Sequence, residues 1–181
     1  MGFYMFEQEQ LKGYAKDIAT VLVIVVAFLI LCKLIFGLWV PMFVVSSGSM
    51  EPNMKIGDII FVQDINRTTV ITQQDALASS RPHITFKNSG DVILYRPHGS
   101  ADRVPIVHRA MYYVEAGEEM WPGGPNAPHA GYITKGDNNV TNSLLDQQTG
   151  IMPNTPIKEE WIVGTVKFKI PYIGHLRLFF T

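Results

Sequence analysis

The residues best suited to chemistry in this 181-residue chain lie in the run Ser46-Ser47-Gly48-Ser49-Met50-Glu51-Pro52. Two hydroxyls flank a glycine directly after the apolar stretch Met42 to Val45, and Pro52 stiffens the exit. A serine hydroxyl is a poor nucleophile until a base takes its proton, and the tetrahedral intermediate then needs hydrogen-bond donors. Gly48 permits an unusual backbone angle and the close approach of a substrate chain. The same residues also describe a plain flexible loop, so the run alone leaves both readings open. Metal chemistry has less support. His83, His98, His129 and His175 show no paired ligand spacing, and the single cysteine, Cys32, excludes an intramolecular disulfide and a thiolate zinc cluster. No metal or cofactor is expected.

A catalytic loop needs a rigid frame. From Pro41 onward the chain consists of short β-rich runs, MFVV, DIIFVQ, DVILYRP, VPIVHRA, MYYVEA, GYITKG and WIVGTVKFKI. Turn residues separate them, among them Trp121-Pro122-Gly123-Gly124-Pro125 and Gly136-Asp137-Asn138-Asn139. Such punctuation predicts a mainly β domain over residues 41–170, barrel-like or sandwich-like. The polar, weakly patterned stretch from Arg67 to Ser89 reads as an insertion or long loop.

Ahead of this domain, Ile18 to Cys32 carries no charge. Continued through Lys33 to Trp39 as one helix, it spans roughly 33 Å at about 1.5 Å per residue, which suits a hydrocarbon core of about 30 Å. Lys33 costs about 2.5–3.5 kcal/mol at a bilayer centre, while each Leu, Ile, Val or Phe returns about 0.3–0.6. The apolar run outweighs it, and the lysine sits off-centre, where its stem reaches the headgroups. Trp39 suits the interface and Pro41 disfavours a longer helix. The run starts late, is long and lacks a small-x-small cleavage site, unlike a removable signal. It is apolar on every face, unlike a buried soluble helix. The expected layout is a cytoplasmic segment at 1–17, a transmembrane anchor at 18–40, the β domain at 41–170 and an apolar tail at 171–181. With 15 basic and 16 acidic residues and no basic stripe, the chain is not a nucleic-acid binder.

Five segments, in order, resemble type I signal peptidases. SGSMEP followed by Gly57-Asp58-Ile59-Ile60 is similar to the nucleophile region, and Gly90-Asp91-Val92-Ile93 to a later strand. Ile106-Val107-His108-Arg109 resembles the base-bearing segment, and Thr134-Lys135-Gly136-Asp137-Asn138-Asn139 the acidic box. WIVGTVKFKIPYIG is similar to the closing motif, and together these cover most of Phe43 to Gly174. Bacterial members carry a lysine base, whereas archaeal and endoplasmic-reticulum members carry histidine. His108 therefore gives this chain the look of the second kind. That is chemically coherent, because histidine titrates near neutrality unaided while a lysine base must be desolvated.

The resemblance implies a signal-peptidase-like β catalytic domain with one N-terminal transmembrane helix. It also implies a serine endopeptidase that removes signal peptides from secretory preproteins after small residues at the −3 and −1 positions. On it, Ser49 is the nucleophile, His108 the general base and later acid, and the Ser49 N–H with the Ser47 hydroxyl the oxyanion hole. Asp137 matches the first family aspartate. Ser143 stands where the second is expected, and the next acid is Asp146, which a short loop insertion would displace; Asp146 is then the partner of His108, and Asp137 supports the site. The substrate adds as an extended strand beside the run before Ser49, with Val45 and Met50 in the walls of two shallow pockets. Ser49 follows Pro41 closely enough that an extended link reaches only about 30 Å, so cleavage occurs at the membrane face. The implied partners are signal peptides, membrane lipid and the protein-translocation channel. The implied place is the cell membrane, or the endoplasmic-reticulum membrane in a eukaryote, single-pass with the β domain outside. The flanking charges balance, so that orientation follows from the activity; the sequons at Asn66 and Asn139 agree with it. Two other readings stand beside this one. A self-cleaving protease related to the SOS repressors shares a β core but needs a lysine base and a DNA-binding module. A catalytically silent membrane-anchored β module would need neither Ser49 nor His108.

Overall fold

The computed structural model describes residues 2–172, leaving aside the side chains of residues 2–9 and 11. The tail expected at 171–181 lies, apart from Pro171 and Tyr172, outside the described residues. In chain order the elements are α1 (Gly2–Phe36), β1 (Met42–Val44), β2 (Ile59–Asp64), α2 (Gln73–Ala78), β3 (Ile84–Thr85), β4 (Asn88–Ser89), β5 (Val92–Tyr95), β6 (Ile106–Val114), β7 (Gly131–Lys135) and β8 (Ile162–Ile170).

α1 starts well before the apolar run, because the preceding Glu, Gln, Leu, Lys and Ala residues are strong helix formers with no proline among them. It stops at Phe36 rather than at Trp39. Gly37 takes φ +79°, and its N–H donates to the Lys33 carbonyl at 3.0 Å, the single bond that ends a helix through a left-handed residue. A Cβ there would stand 2.7 Å from the Asp64 Cβ, so angle and space both call for glycine. Lys33 does not simply reach outward. Its ammonium donates to the Gly37 carbonyl and lies 5.9 Å from the Trp39 ring centre, while Arg67 Nη1 donates to the Leu34 carbonyl at 2.6 Å. Two cations thus meet the negative end of the helix dipole. Phe36 closes the junction against the stacked rings of Phe61 and Phe168. The 25 residues Lys12–Phe36 are exposed almost throughout, and they form the one helix among the described residues long and apolar enough to cross a membrane.

The remainder is mainly β. Six strands form one antiparallel sheet in the order β1-β2-β8-β5-β6-β7, with β1 and β7 at its edges. The two runs VPIVHRA and MYYVEA, expected as separate strands, join in β6, whose register against β7 shifts between Ala110 and Tyr112. Such bulges deepen the twist of a strand. β5 is buried at all four positions because both sheet faces are covered. Val92 and Leu94 enter one cluster with Val45, Met50, Met54, Ile60, Val62 and Val166. Ile93 and Tyr95 enter the opposite one with Val70, Ala110, Met152, Ile157 and Ile162. This explains why DVIL reads as an unbroken apolar run rather than an alternation.

The expected loop at Arg67 to Ser89 is more ordered than its composition indicates. Thr72 and Asp75 form a reciprocal capping box that starts α2, and β3 and β4 pair as a two-residue ribbon. The signal was local and short, which a window tuned to longer amphipathic periods passes over.

Candidate active site

Ser49 stands in a one-turn helix, Gly48–Met50, within the loop between β1 and β2. The loop is closed at its base by main-chain bonds from Val45 N–H to the Asp58 carbonyl and from Gly57 N–H to the Val45 carbonyl, both 2.9 Å. Its tip is held from the β7 side. Asn138 donates its N–H to the Ser49 carbonyl at 2.9 Å and its side-chain amide to the Gly48 carbonyl at 2.9 Å. Gly136 makes this possible, since a Cβ there would come 2.6 Å from the Ser49 carbonyl oxygen. Ser49 Oγ lies 3.3 Å from Ser47 Oγ.

His108 is brought in by β6, where it is paired across the sheet with Ile93 and is 2% exposed. Its Nδ1 lies 2.7 Å from Oδ2 of Asp146, which is wholly buried in the turn Asp146–Gln148. The same carboxylate oxygen accepts from Tyr95 Oη at 2.8 Å and from Thr134 Oγ1 at 2.6 Å, so β5, β6 and β7 each send one donor to it. Burial pushes the Asp146 carboxyl up, but the bonds from His108, Thr134 and Tyr95 and the His108 charge outweigh it and hold the group below the usual carboxylate range. The Tyr95 phenol is pushed well above its usual range by burial and by the carboxylate beside it. With Nδ1 committed to an ionised carboxylate, Nε2 is the imidazole nitrogen left for proton transfer.

Ser49 and His108 line one cavity of about 370 Å³, together with Ser46, Ser47, Val104, Pro105, Ile106, Asn142 and Ile151. Ser46, Ser47, Val104 and Pro105 also line a neighbouring apolar groove of about 310 Å³, whose other walls include Phe43, Val45, Ile60, Leu94 and Val107. The serine and the histidine, 59 positions apart by their numbers, thus share one opening. A hydroxyl and an imidazole face this opening, and a buried carboxylate backs the imidazole from behind, the three groups that serine hydrolysis employs.

The other expected residues separate by environment. Val45 lines the groove. Met50 does not meet a substrate surface: it is wholly buried, and its sulfur accepts the Asp137 N–H at 3.4 Å. An apolar residue after a catalytic loop is more easily absorbed by the core beneath than presented to the cavity. Asp137 faces Arg109, which forks onto it through Nε at 2.8 Å and Nη2 at 2.7 Å, and it accepts from Asn53 at 2.8 Å. Arg109, 1% exposed, also reaches the carbonyl oxygens of Thr85 and Gly90. Being next to His108 in a strand, it points to the opposite face. Sequence reading missed Arg109, Asn138, Tyr95 and Thr134 as parts of the site. Arg109 and Asn138 were within the matched motifs and could have been noticed there; Tyr95 carried no signal beyond its place in an apolar run. Among the described residues no cluster of His, Cys, Asp or Glu could hold a metal ion.

This chain is similar to known proteins. The catalytic subunit SEC11 of the signal peptidase complex of Saccharomyces cerevisiae, in strains YJM789 and RM11-1a alike, is 33% identical over 139 residues, which is 76% of this chain. The chain spans 64% of the length of these relatives. Residues 17–112, more than half of the sequence, match the family described as Signal peptidase, peptidase S26, and that stretch holds both Ser49 and His108. By this match the chain belongs to the S26 family of signal peptidases.

Proposed function

We propose that the protein is a membrane-bound serine endopeptidase that cleaves signal peptides from secretory preproteins. The observation that carries this reading is the buried His108–Asp146 pair, 2.7 Å apart, opening on the cavity that Ser49 also lines. Ser49 Oγ leaves its contact with Ser47 and turns to Nε2 of His108, which takes its proton as the oxygen attacks the scissile carbonyl. Asp146 holds the imidazole in the tautomer that accepts at Nε2 and stabilises the imidazolium that forms. The Ser49 N–H and the Ser47 hydroxyl face the oxyanion. His108 returns its proton to the leaving amine, and water, activated by the same histidine, releases the acyl group from Ser49. Asp137 supports the loop and takes no part in proton transfer.

The substrate enters as an extended strand. β1 is a sheet edge, and β7 pairs with β6 only from Arg109 onward, so Ile106 to His108 have no paired strand on that side. A peptide between these two edges gains main-chain partners, while its alternate side chains drop into the apolar groove and the catalytic cavity. The apolar groove lined by Val45, Leu94 and Val107 receives the small −3 side chain, and the cavity lined by Ser49 and His108 the small −1 side chain. α1 crosses the membrane with the β domain outside, which keeps cleavage at the bilayer, where a signal peptide is held by its own apolar segment. Because the relatives are named as subunits of a complex, companion subunits and the translocation channel complete the expected setting.

The test is processing of a preprotein by the detergent-purified chain. Ser49→Ala and His108→Ala should each abolish cleavage while the protein stays folded. A Ser49→Ala protein that processes at the wild-type rate overturns the reading, as does a serine-reactive penem that labels another residue.

A further inference from the structure

A buried carboxylate keeps its charge only where something in the fold stabilises it. Asp146 is wholly buried, and among the described residues its partners include no lysine or arginine. Its cationic neighbour can only be His108, and His108 must be neutral to act as a base. When the histidine is ready to act as a base, therefore, no positive charge stands beside the carboxylate. Three donors remain: His108 Nδ1–H at 2.7 Å, Tyr95 Oη–H at 2.8 Å and Thr134 Oγ1–H at 2.6 Å. All three converge on Oδ2, while Oδ1 is buried with no hydrogen-bond partner.

This is an arrangement for position as well as charge. Three donors from three adjacent strands converge on one oxygen and hold it against the imidazole. Tyr95 and Thr134 are themselves wholly buried. The turn bearing Asp146 is tied to the same strand as Thr134, whose N–H donates to Gln147 Oε1 at 3.1 Å. The groups facing the pair are Tyr95 from β5, His108 from β6, Thr134 from β7 and Gln147 from the turn. Arg109 and Asp137 lie on the other face of β6 and engage each other.

We infer that Tyr95 and Thr134 are positioning residues for the cleavage reaction: their hydroxyls hold the Asp146 carboxylate ionised and aimed at His108 while the histidine is neutral. The inference rests on the proposed serine-peptidase reading and adds two residues to it. The sign of its consequence follows from charge. The unprotonated pair carries one negative charge and the protonated pair none, so a hydroxyl donor stabilises the unprotonated pair more. Removing the donor raises the pH at which the pair takes up its proton, whichever partner holds it.

The experiment measures kcat, KM and the pH profile of preprotein cleavage for Tyr95→Phe, Thr134→Val, Thr134→Ser and Asp146→Asn in the full chain. Tyr95→Phe and Thr134→Val should each lower kcat about tenfold, the scale of one hydrogen bond to a charged group. Each should move the acid limb upward by about half a pH unit or more, and leave KM unchanged because neither side chain reaches the cavity. Thr134→Ser, which keeps the hydroxyl, should restore both kcat and the acid limb. If Tyr95→Phe and Thr134→Val keep the wild-type kcat and acid limb while Asp146→Asn is inactive, the inference is wrong and the triad stands. If Asp146→Asn itself cleaves at the wild-type rate, the underlying role of Asp146 fails instead. A Tyr95→Phe protein that does not fold leaves the decision to the two threonine variants, where loss in valine without recovery in serine also counts against the inference.

Discussion

Replacing Asp137 should cost stability, because its partner cannot follow it into water. Arg109 is 1% exposed and the Asp137 side chain 4%. Asp137→Ala removes both carboxylate oxygens from the guanidinium fork and one acceptor from Asn53, while a permanently charged group stays buried. Breaking a buried pair by removing one partner costs about 3–5 kcal/mol. That is a large share of the 5–15 kcal/mol typical of a domain. At about 2–4 °C per kcal/mol for a domain of this size, the Tm should fall by roughly 10 °C. The assay is thermal unfolding of detergent-solubilised protein by intrinsic fluorescence, for which Trp121 and Trp161 both lie in the β domain. A double variant, Arg109→Met with Asp137→Leu, provides the internal control: with both charges gone it should lose clearly less stability than Asp137→Ala alone. A Tm within about 2 °C of wild type for Asp137→Ala would show that the Arg109 charge is solvated or paired elsewhere, and the clamp would be refuted.

Three more expectations follow from the same geometry. Gly136→Ala should push the Ser49 carbonyl outward, since the new Cβ meets it at 2.6 Å; cleavage should fall about tenfold or more with the sheet intact by circular dichroism, and wild-type activity would deny the contact. Val107→Phe should fill the apolar groove and raise KM about tenfold at near-constant kcat; an unchanged KM would place the peptide elsewhere. The depressed Asp146 carboxyl makes the folded state bind its proton less readily than the unfolded state. Its contribution to stability is therefore complete above the ordinary carboxylate range and is lost as the pH falls through the depressed folded value. Denaturant midpoints taken from about pH 6 down to about pH 2.5 should drop more steeply for wild type than for Asp146→Asn, and parallel curves would contradict that sign.

Much of this molecule is written locally. The uncharged run from Ile18 to Cys32 and the strands from MFVV to WIVGTVKFKI follow from hydrophobic patterning and turn residues, which act over a few positions. Ser49 stood out through the resemblance of SGSMEP to the nucleophile region of signal peptidases, since by itself that run also describes a flexible loop. The expected helix end, at Trp39, lies too far along, whereas the chain leaves the helix at the left-handed Gly37.

Which side chains meet is another matter. Tyr95 reads as one more apolar strand residue, and its hydroxyl gains meaning only because β5 lies beside β6, with Asp146 closing over both. Asp137 and Asp146 are the same residue type a few positions apart, and no local rule separates them. One meets the guanidinium on the far face of β6, the other the imidazole on the near face. Sequence therefore determined most of the elements, through short-range periodicity and backbone preference. The tertiary structure decided the partners of Arg109, Tyr95 and Thr134, because strand order and the alternation of faces bring together residues that lie far apart along the chain.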